Sequence, residues 1–376
     1  MNLNTPLPLL GGLSAAEFMR YYWQRKPLLV RQALPGFSPL LTRAQLFELA
    51  QQPDVESRLV IGHDQGRRDW QFKRGPFKRR DLPKLNEPDW TVLVQGVDGH
   101  DERVAALMHQ FRFVPDARLD DLMISYASNG GGVGPHFDSY DVFLIQAHGK
   151  RHWRIGKQKD LSLLEGVPLK ILANFKAQQE WVLEPGDMLY LPPRYAHDGI
   201  AVGECMTYSV GFRAPQNGEL ARELLMRLSE DTEDSVGEAM YQDADQAAVT
   251  HPAAVPQSLL AFAQNALARA LQDPKDLGRA LGEYLSEPKA NVWFEAGTAA
   301  RKFKAVRLDR RSRMLYDKHH VFLNGESWRA AGADAKLMRL LADQRFLNSD
   351  QLSLASEQAR MLLSDWCEAG WLHAVR

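Results

Sequence analysis

Gly130-Gly-Gly-Val-Gly-Pro-His136-Phe137-Asp138-Ser139-Tyr-Asp-Val142-Phe-Leu-Ile145-Gln is the stretch on which the reading of this chain turns. A glycine-rich approach leads into a His-x-Asp pair, and an apolar run of strand type follows it. In an extended segment alternate side chains share a face, so His136 and Asp138 point together while Phe137 turns away. Such a pair is two-thirds of an iron site, and a second histidine elsewhere would complete it. A lone His-x-Asp pair is more often structural.

The surroundings of that pair predict a β-rich core. From about Trp70 to Arg213 the chain has short runs of β-branched and aromatic residues, including Trp90-Thr-Val-Leu-Val94, Val142-Phe-Leu-Ile145, His152-Trp-Arg-Ile155, Met188-Leu-Tyr-Leu191 and Met206-Thr-Tyr-Ser-Val-Gly-Phe212. Gly, Pro and Asn clusters separate them, which reads as an antiparallel barrel or double-sheet core. Upstream, Ser14-Ala-Ala-Glu17 and Thr42-Arg-Ala-Gln45 are capping-box patterns that predict helices on either side of Lys26-Pro27-Leu-Leu-Val30. Past Pro215 the period turns helical over Glu219–Leu228 and Leu259–Leu271, with an acidic stretch between Glu230 and Asp245. The tail mixes strand-like Val321-Phe-Leu323 with helical Ala335–Leu341 and Ser356–Leu363, and closes on Gly370-Trp-Leu372 in winged-helix order. The fold class is therefore α+β, with expected domains at 1–214, 215–298 and 299–376.

The length of 376 residues suits two or three domains, and the net charge of −1 argues against coating nucleic acid or membrane by global electrostatics. Cys205 and Cys367 stand far apart among apolar or aromatic neighbours and read as buried thiols in a reducing compartment. The N-terminus lacks a basic leader, and no apolar run nears the ~20 residues a membrane span needs. The expected location is cytoplasmic, with no membrane partner.

The missing ligand lies in Glu184-Pro-Gly186-Asp-Met-Leu-Tyr-Leu-Pro192-Pro-Arg194-Tyr-Ala-His197. Gly-x5-Pro ahead of a histidine has the spacing of the second cupin motif, with Arg194 where cupins usually have glycine. His136, Asp138 and His197 then form a two-His, one-carboxylate triad that leaves positions open for Fe(II) oxygenase chemistry with O2. Such an enzyme needs two further electrons, which decarboxylation of 2-oxoglutarate supplies, and a cation deep in the barrel to hold the distal carboxylate. The predicted turn His148-Gly-Lys150-Arg151-His152-Trp-Arg154 offers three cations, and periodicity does not choose among them.

Taken with Tyr22-Trp23, Lys26-Pro27, Arg58-Leu-Val, Gly75-Pro76-Phe77, Asp120-Asp121-Leu-Met-Ile-Ser125 and Tyr208-Ser-Val-Gly-Phe-Arg-Ala-Pro215, these motifs make the chain similar, over nearly its whole length, to the bacterial JmjC-type, cupin-like ribosomal oxygenases. The resemblance implies a JmjC/cupin double-stranded β-helix barrel, a helical dimerisation region and a C-terminal winged helix. It implies Fe(II) on His136, Asp138 and His197, Arg151 as partner of the distal carboxylate of 2-oxoglutarate, and Ser209 as a further cosubstrate contact. It also implies a homodimer that hydroxylates an arginine of protein sixteen of the large ribosomal subunit. Phe137 and Ser139 depart from the Leu and Gln expected there. The alternatives are the same chemistry on a histidine of another ribosomal protein, and a non-catalytic cupin scaffold that binds ribosomal components.

An arginine substrate needs acceptors at the barrel mouth, and Asp141, Tyr126 and Tyr140 are candidates. His148 and His152 read as structural, and His319-His320 as an exposed pair. The basic run Phe72–Arg80 and the tail cations Arg301, Lys302, Lys304, Arg310 and Arg311 read as solvated, so direct nucleic-acid binding is not expected.

Overall fold

A computed structural model of the chain describes residues 2–62, 70–230, 236–299 and 303–375. Arg301, Lys302 and part of the acidic stretch lie outside the described residues. The chain divides into two units, Met1–Ala214 and Pro215–Arg376.

In the first unit both capping boxes form. Ser14 and Glu17 close on each other to open α1 (Ala15–Tyr21), and Thr42 and Gln45 do the same for α2 (Arg43–Leu49), with β1 (Leu28–Val30) between the helices. Then come β2 (Ser57–Ile61), β3 (Gln71–Arg74), β4 (Trp90–Val94), α3 (Glu102–His109), β5 (Leu119–Ala127), β6 (Asp141–Gly156), β7 (Gln179–Leu183), β8 (Met188–Leu191) and β9 (Ala196–Phe212). They form one antiparallel sheet in the order β1-β8-β6-β9-β5-β4-β2-β3, with β7 also on β6. The edge strand β3 carries exposed Lys73 and Arg74, charges that discourage edge-to-edge pairing.

Alternation along β6 sorts two cores. Phe143 and Ile145 join Phe18, Leu46, Tyr190 and Tyr208 on the face covered by the N-terminal helices. Val142 and Leu144 face the other way, with Leu183, Leu189 and Leu191. Long strands β6 and β9 run side by side through both halves of the sheet and form the spine of the fold.

The predicted turn at His148–Arg154 is not there, because β6 runs straight through it. Its register instead shifts between Gln146 and His148, where two residues of β6 span one step of β9, from Thr207 to Met206. Such a bulge exchanges inward and outward parity. Even-numbered Val142 and Leu144 therefore share the inner face with odd-numbered Trp153 and Ile155. Gly149 passes this bend at φ 61, and a Cβ there would lie 2.0 Å from the carbonyl oxygen of Glu204. Gly149→Ala is accordingly expected to cost about 3 kcal/mol or more of stability, read as a lowered urea midpoint.

The second unit has α4 (Asn217–Glu230), α5 (Gln257–Ala270) and α6 (Pro274–Ser286), followed by β10 (Ala305–Leu308), β11 (Met314–Tyr316), β12 (His320–Leu323), β13 (Glu326–Arg329), α7 (Gly332–Gln344), β14 (Phe346–Leu347), α8 (Ser349–Ser353), α9 (Glu357–Glu368) and β15 (Leu372–Val375). Two three-stranded sheets, β14-β10-β15 and β11-β12-β13, enclose a core that includes Val306, Leu323, Leu341, Leu363 and Trp366. His320 departs from expectation. It is buried at the start of β12, with its backbone N–H donating to the Asp317 carboxylate, while His319 stays exposed. Both cysteines are buried free thiols, and no helix among the described residues is long and apolar enough to cross a membrane.

Asp309 ties β10 to β15. Its carboxylate accepts from the backbone N–H and Nε of Arg311, both at 2.9 Å, and from His373 Nε2 at 2.8 Å. Burial acts to raise the acid's pKa, but these hydrogen bonds hold it at about 2 against an ordinary 3.8. A depressed carboxylate stabilises the fold above its unfolded pKa and loses that contribution as pH falls through the folded one. Asp309→Asn should therefore destabilise this unit at neutral pH by an amount on the order of 2 kcal/mol, a difference that closes between about pH 4 and pH 2. Urea unfolding at stepped pH, followed by hydrogen exchange in this unit, checks it.

Candidate functional site

His136 lies outside any named strand, pinned by a single β-bridge to the start of β9. Its backbone N–H donates to the His197 carbonyl at 2.9 Å, and the His197 N–H donates back at 2.8 Å. The two imidazole centres are thereby 4.2 Å apart. Each ring is oriented by its own backbone, with His136 Nδ1 2.8 Å from the Gly134 carbonyl and His197 Nδ1 2.9 Å from that of Tyr195. A carbonyl only accepts, so both protons sit on Nδ1 and both Nε2 lone pairs are free.

Those Nε2 atoms face one carboxylate oxygen, Oδ2 of Asp138, at 3.7 Å from His136 and 3.6 Å from His197. All three ligand atoms lie within 4.8 Å of one another. Ligands at right angles and about 2.1 Å from one ion stand about 3 Å apart, so a small closure suffices. Burial, and then the neighbouring His136, push the His197 pKa down to about 4, which keeps it neutral and able to ligate at neutral pH. The Arg194 N–H donates to the Asp138 carbonyl at 2.7 Å, and Arg194 has φ 62. The left-handed conformation explains why glycine is usual at this motif position.

Deeper along the inner wall sits Arg151, only 4% exposed. Its Nη1 donates to Ser125 Oγ at 3.3 Å and Thr207 Oγ1 at 3.4 Å, its Nη2 to the Gly199 carbonyl at 3.1 Å, and its Nε has no hydrogen-bond partner. None of these partners is charged, and no carboxylate pairs with it among the described residues. The other two cations of the segment point outward, Lys150 to Glu184 at 2.6 Å and Arg154 to Asp198. His148 and His152 also lie outside, beside Glu204 and Glu180.

Sequence reasoning missed Ser125, Thr207 and Gln146. Thr207 donates to Gln146 Oε1 at 3.0 Å, which leaves its oxygen lone pairs for Arg151. Polar residues at alternate positions of otherwise apolar runs, such as Thr207 and Ser209, were the available signal. Ser209 lies one inward step along β9 from Thr207, opposite Leu144 and Met123, and is nearly buried. Two expected substrate acceptors are used elsewhere. Asp141 is fully buried and binds Tyr190, Gln24 and Arg118, and Tyr126 is buried with its hydroxyl on Glu204. Tyr140 is half-buried beside Gly211 and interacts with Arg213. Near His136, Val60, Trp70 and Ile171 form an apolar cluster with half-buried Phe72, Leu93 and Val133.

Comparison with known proteins gives this arrangement its place. Residues 106–220 match the family model of the JmjC domain, and residues 269–373 match the ROXA-like winged helix. The chain is 38% identical to the ribosomal protein uL16 3-hydroxylase of Escherichia coli strain K12 over 74% of its own length and 72% of that protein's. It belongs to the JmjC-domain ribosomal oxygenase family. A crystal structure of the ribosomal oxygenase YcfD from E. coli superposes with a TM-score of 0.85 at 30% identity, covering 96% of this chain and 98% of that one. The same oxygenase in complex with cobalt and 2-oxoglutarate superposes with a TM-score of 0.81 at 31% identity, covering 95% and 97%. As a ribosomal oxygenase, the chain has the JmjC cupin fold with a C-terminal winged helix.

Proposed function

We propose that this ribosomal oxygenase uses Fe(II), 2-oxoglutarate and O2 to hydroxylate an arginine of large-subunit ribosomal protein uL16, with His136, Asp138 and His197 holding the metal. The observation that carries the reading is Arg151, a cation buried on the wall below the triad with only neutral partners. A buried charge without a counter-ion is strongly disfavoured, so the site calls for an anion. The distal carboxylate of 2-oxoglutarate would meet that demand, leaving its other end for the metal held by His136, Asp138 and His197. The E. coli complex with cobalt and 2-oxoglutarate supports the pairing of these two groups in one pocket. Ser209, inward on β9, is a further contact for the cosubstrate.

When bound, Fe(II) and 2-oxoglutarate would supply the reduction of O2, one oxygen atom going into succinate as CO2 leaves and the other into an unactivated C–H bond. The chain's own part is positional. Two carbonyls fix the histidine tautomers, Arg151 holds the far end of the cosubstrate, and Val142, Leu144, Leu189 and Leu191 keep the inner wall dry. Half-buried Phe72 and Val133, packed on the buried cluster of Trp70 and Ile171, offer an apolar surface for a peptide beside His136. A ribosomal substrate supports a cytoplasmic location.

Mass spectrometry of ribosomal proteins from cells with and without this protein is expected to show a one-oxygen shift on an arginine of uL16. A shift on a histidine of another protein would move the assignment to that target, and no shift anywhere would favour a binding scaffold.

The same reading divides the second unit into a helical dimerisation region and a winged helix, with the boundary expected near residue 298 although the winged-helix match begins at residue 269 and takes in α6. Helix α5 supports this, because none of its residues is buried although it carries Leu259, Leu260, Phe262 and Leu267. A lone helix of that length is marginal in water, so its apolar face calls for cover. A second copy of the chain is the proposed cover. Sedimentation of the full chain should give a dimer, and the Phe262→Asp, Leu267→Asp double variant a monomer.

A further inference from the structure

Trp153 stands midway along the wall between the metal ligands and Arg151. In the β6–β9 register Ile155 is opposite His197, Trp153 opposite Gly199 and Arg151 opposite Ala201. Opposed residues of an antiparallel pair share a face, so these side chains line a single wall. Two residues of strand span about 7 Å, which puts the indole one such step from Arg151 and another from the level of His197. The long Arg151 side chain reaches back along the wall to the indole, so the carbon chain of 2-oxoglutarate has only the level of Trp153 to cross. The indole centre is 5.9 Å from the His197 ring centre and 5.2 Å from the guanidinium carbon of Arg151.

Two further observations point to a ligand. Trp153 is buried, and its Nε1–H has no hydrogen-bond partner among the described residues. Buried donors without acceptors are rare in native structures and mark a place where a partner is missing. Position 199 is also kept bare. A Cβ there would lie 2.7 Å from Cζ3 and Cη2 of the indole and 2.9 Å from Arg151 Nε. Glycine thus lets both groups settle against the strand, and both keep an unused N–H on this wall.

We propose that Trp153 is a cosubstrate-contacting residue, its ring packed along the carbon chain of 2-oxoglutarate and its Nε1–H donating to a carboxylate oxygen of that molecule. The inference rests on the cosubstrate reading above. Indole suits the position because it donates without accepting and offers no lone pair to compete for the metal. Its large apolar body excludes water from the chain it covers.

Trp153→Phe keeps a ring and removes the donor. In full-length protein loaded with Co(II), the calorimetric dissociation constant for 2-oxoglutarate should rise about ten-fold, as expected for loss of one charge-assisted hydrogen bond. Co(II) affinity measured without 2-oxoglutarate should be unchanged. A crystal structure of the wild type with Mn(II) and 2-oxoglutarate, which needs no variant to fold, should place Nε1 within about 3.2 Å of a carboxylate oxygen. An unchanged constant in Trp153→Phe, or Nε1 bonded only to water in that crystal, removes the role of Trp153. If Arg151→Ala still lowers the affinity in that case, the cosubstrate reading stands without Trp153. Failure of the wild type to bind 2-oxoglutarate at all overturns both.

Discussion

Asp138→Ala is expected to abolish succinate production and lower Co(II) affinity by more than about a hundred-fold, since a change in even an outer partner of a metal ligand costs 10- to 100-fold. Asp138 is the only carboxylate of the triad, and the two ligands that remain are imidazoles. They would hold a divalent ion by two nitrogens alone, with nothing to offset its charge. The variant should nevertheless fold. The Asp138 side chain is 45% exposed, and the two ligand histidines stand 3.6 and 3.7 Å from its Oδ2, contacts that are not hydrogen bonds. An unchanged thermal midpoint for the apo variant, with metal binding gone, is the expected pair of results. Turnover at the wild-type level would sink the site assignment.

Arg151→Met should separate stability from binding in the opposite direction. The guanidinium is buried with neutral partners only, so in the apo protein it is an uncompensated charge. Replacing buried charge by an apolar side chain of similar volume is often stabilising, by about 1–4 kcal/mol. The apo variant should therefore melt no lower than the wild type and is expected to melt higher. Its affinity for 2-oxoglutarate should fall by roughly a hundred-fold or more, because truncating one partner of a buried charge pair costs about 2–5 kcal/mol. Addition of 2-oxoglutarate to protein already saturated with Co(II) should raise the melting point of the wild type and leave that of Arg151→Met unmoved. Lys150→Ala and Arg154→Ala, whose charges lie outside the barrel, should respond to 2-oxoglutarate as the wild type does. A normal response in Arg151→Met would remove Arg151 from the cosubstrate site.

Both experiments turn on residues that differed in how plainly they could be read. The triad was legible because its signals are local. His136 and Asp138 are two apart in an extended segment, and His197 follows a Gly-x5-Pro turn at fixed spacing. The helices at Ser14 and Thr42 were legible for the same reason, since a capping box closes over four residues. Arg151 was hidden by one residue. Counting inward from Val142 and Leu144 puts Lys150, His152 and Arg154 inside, and the register shift between Gln146 and His148 reverses that parity. A bulge of this kind depends on the partner strand, so the period of β6 alone does not reveal it.

Asp141 and Tyr126 show the same limit from the other side. Both are polar residues near the motif, and both are spent on partners far along the chain, Tyr190 and Arg118 for one and Glu204 for the other. His320 went inside because β12 places it between paired neighbours, a fate that its basic surroundings in sequence did not indicate.

The triad, the β-rich core between helices and the winged-helix order of the tail were all written in local spacing and period, which are properties of neighbouring residues. Which cation is buried, which hydroxyls hold it and which indole stands beside it emerged from the folded strands. Those choices depend on register between β5, β6 and β9, and register is set where distant strands meet.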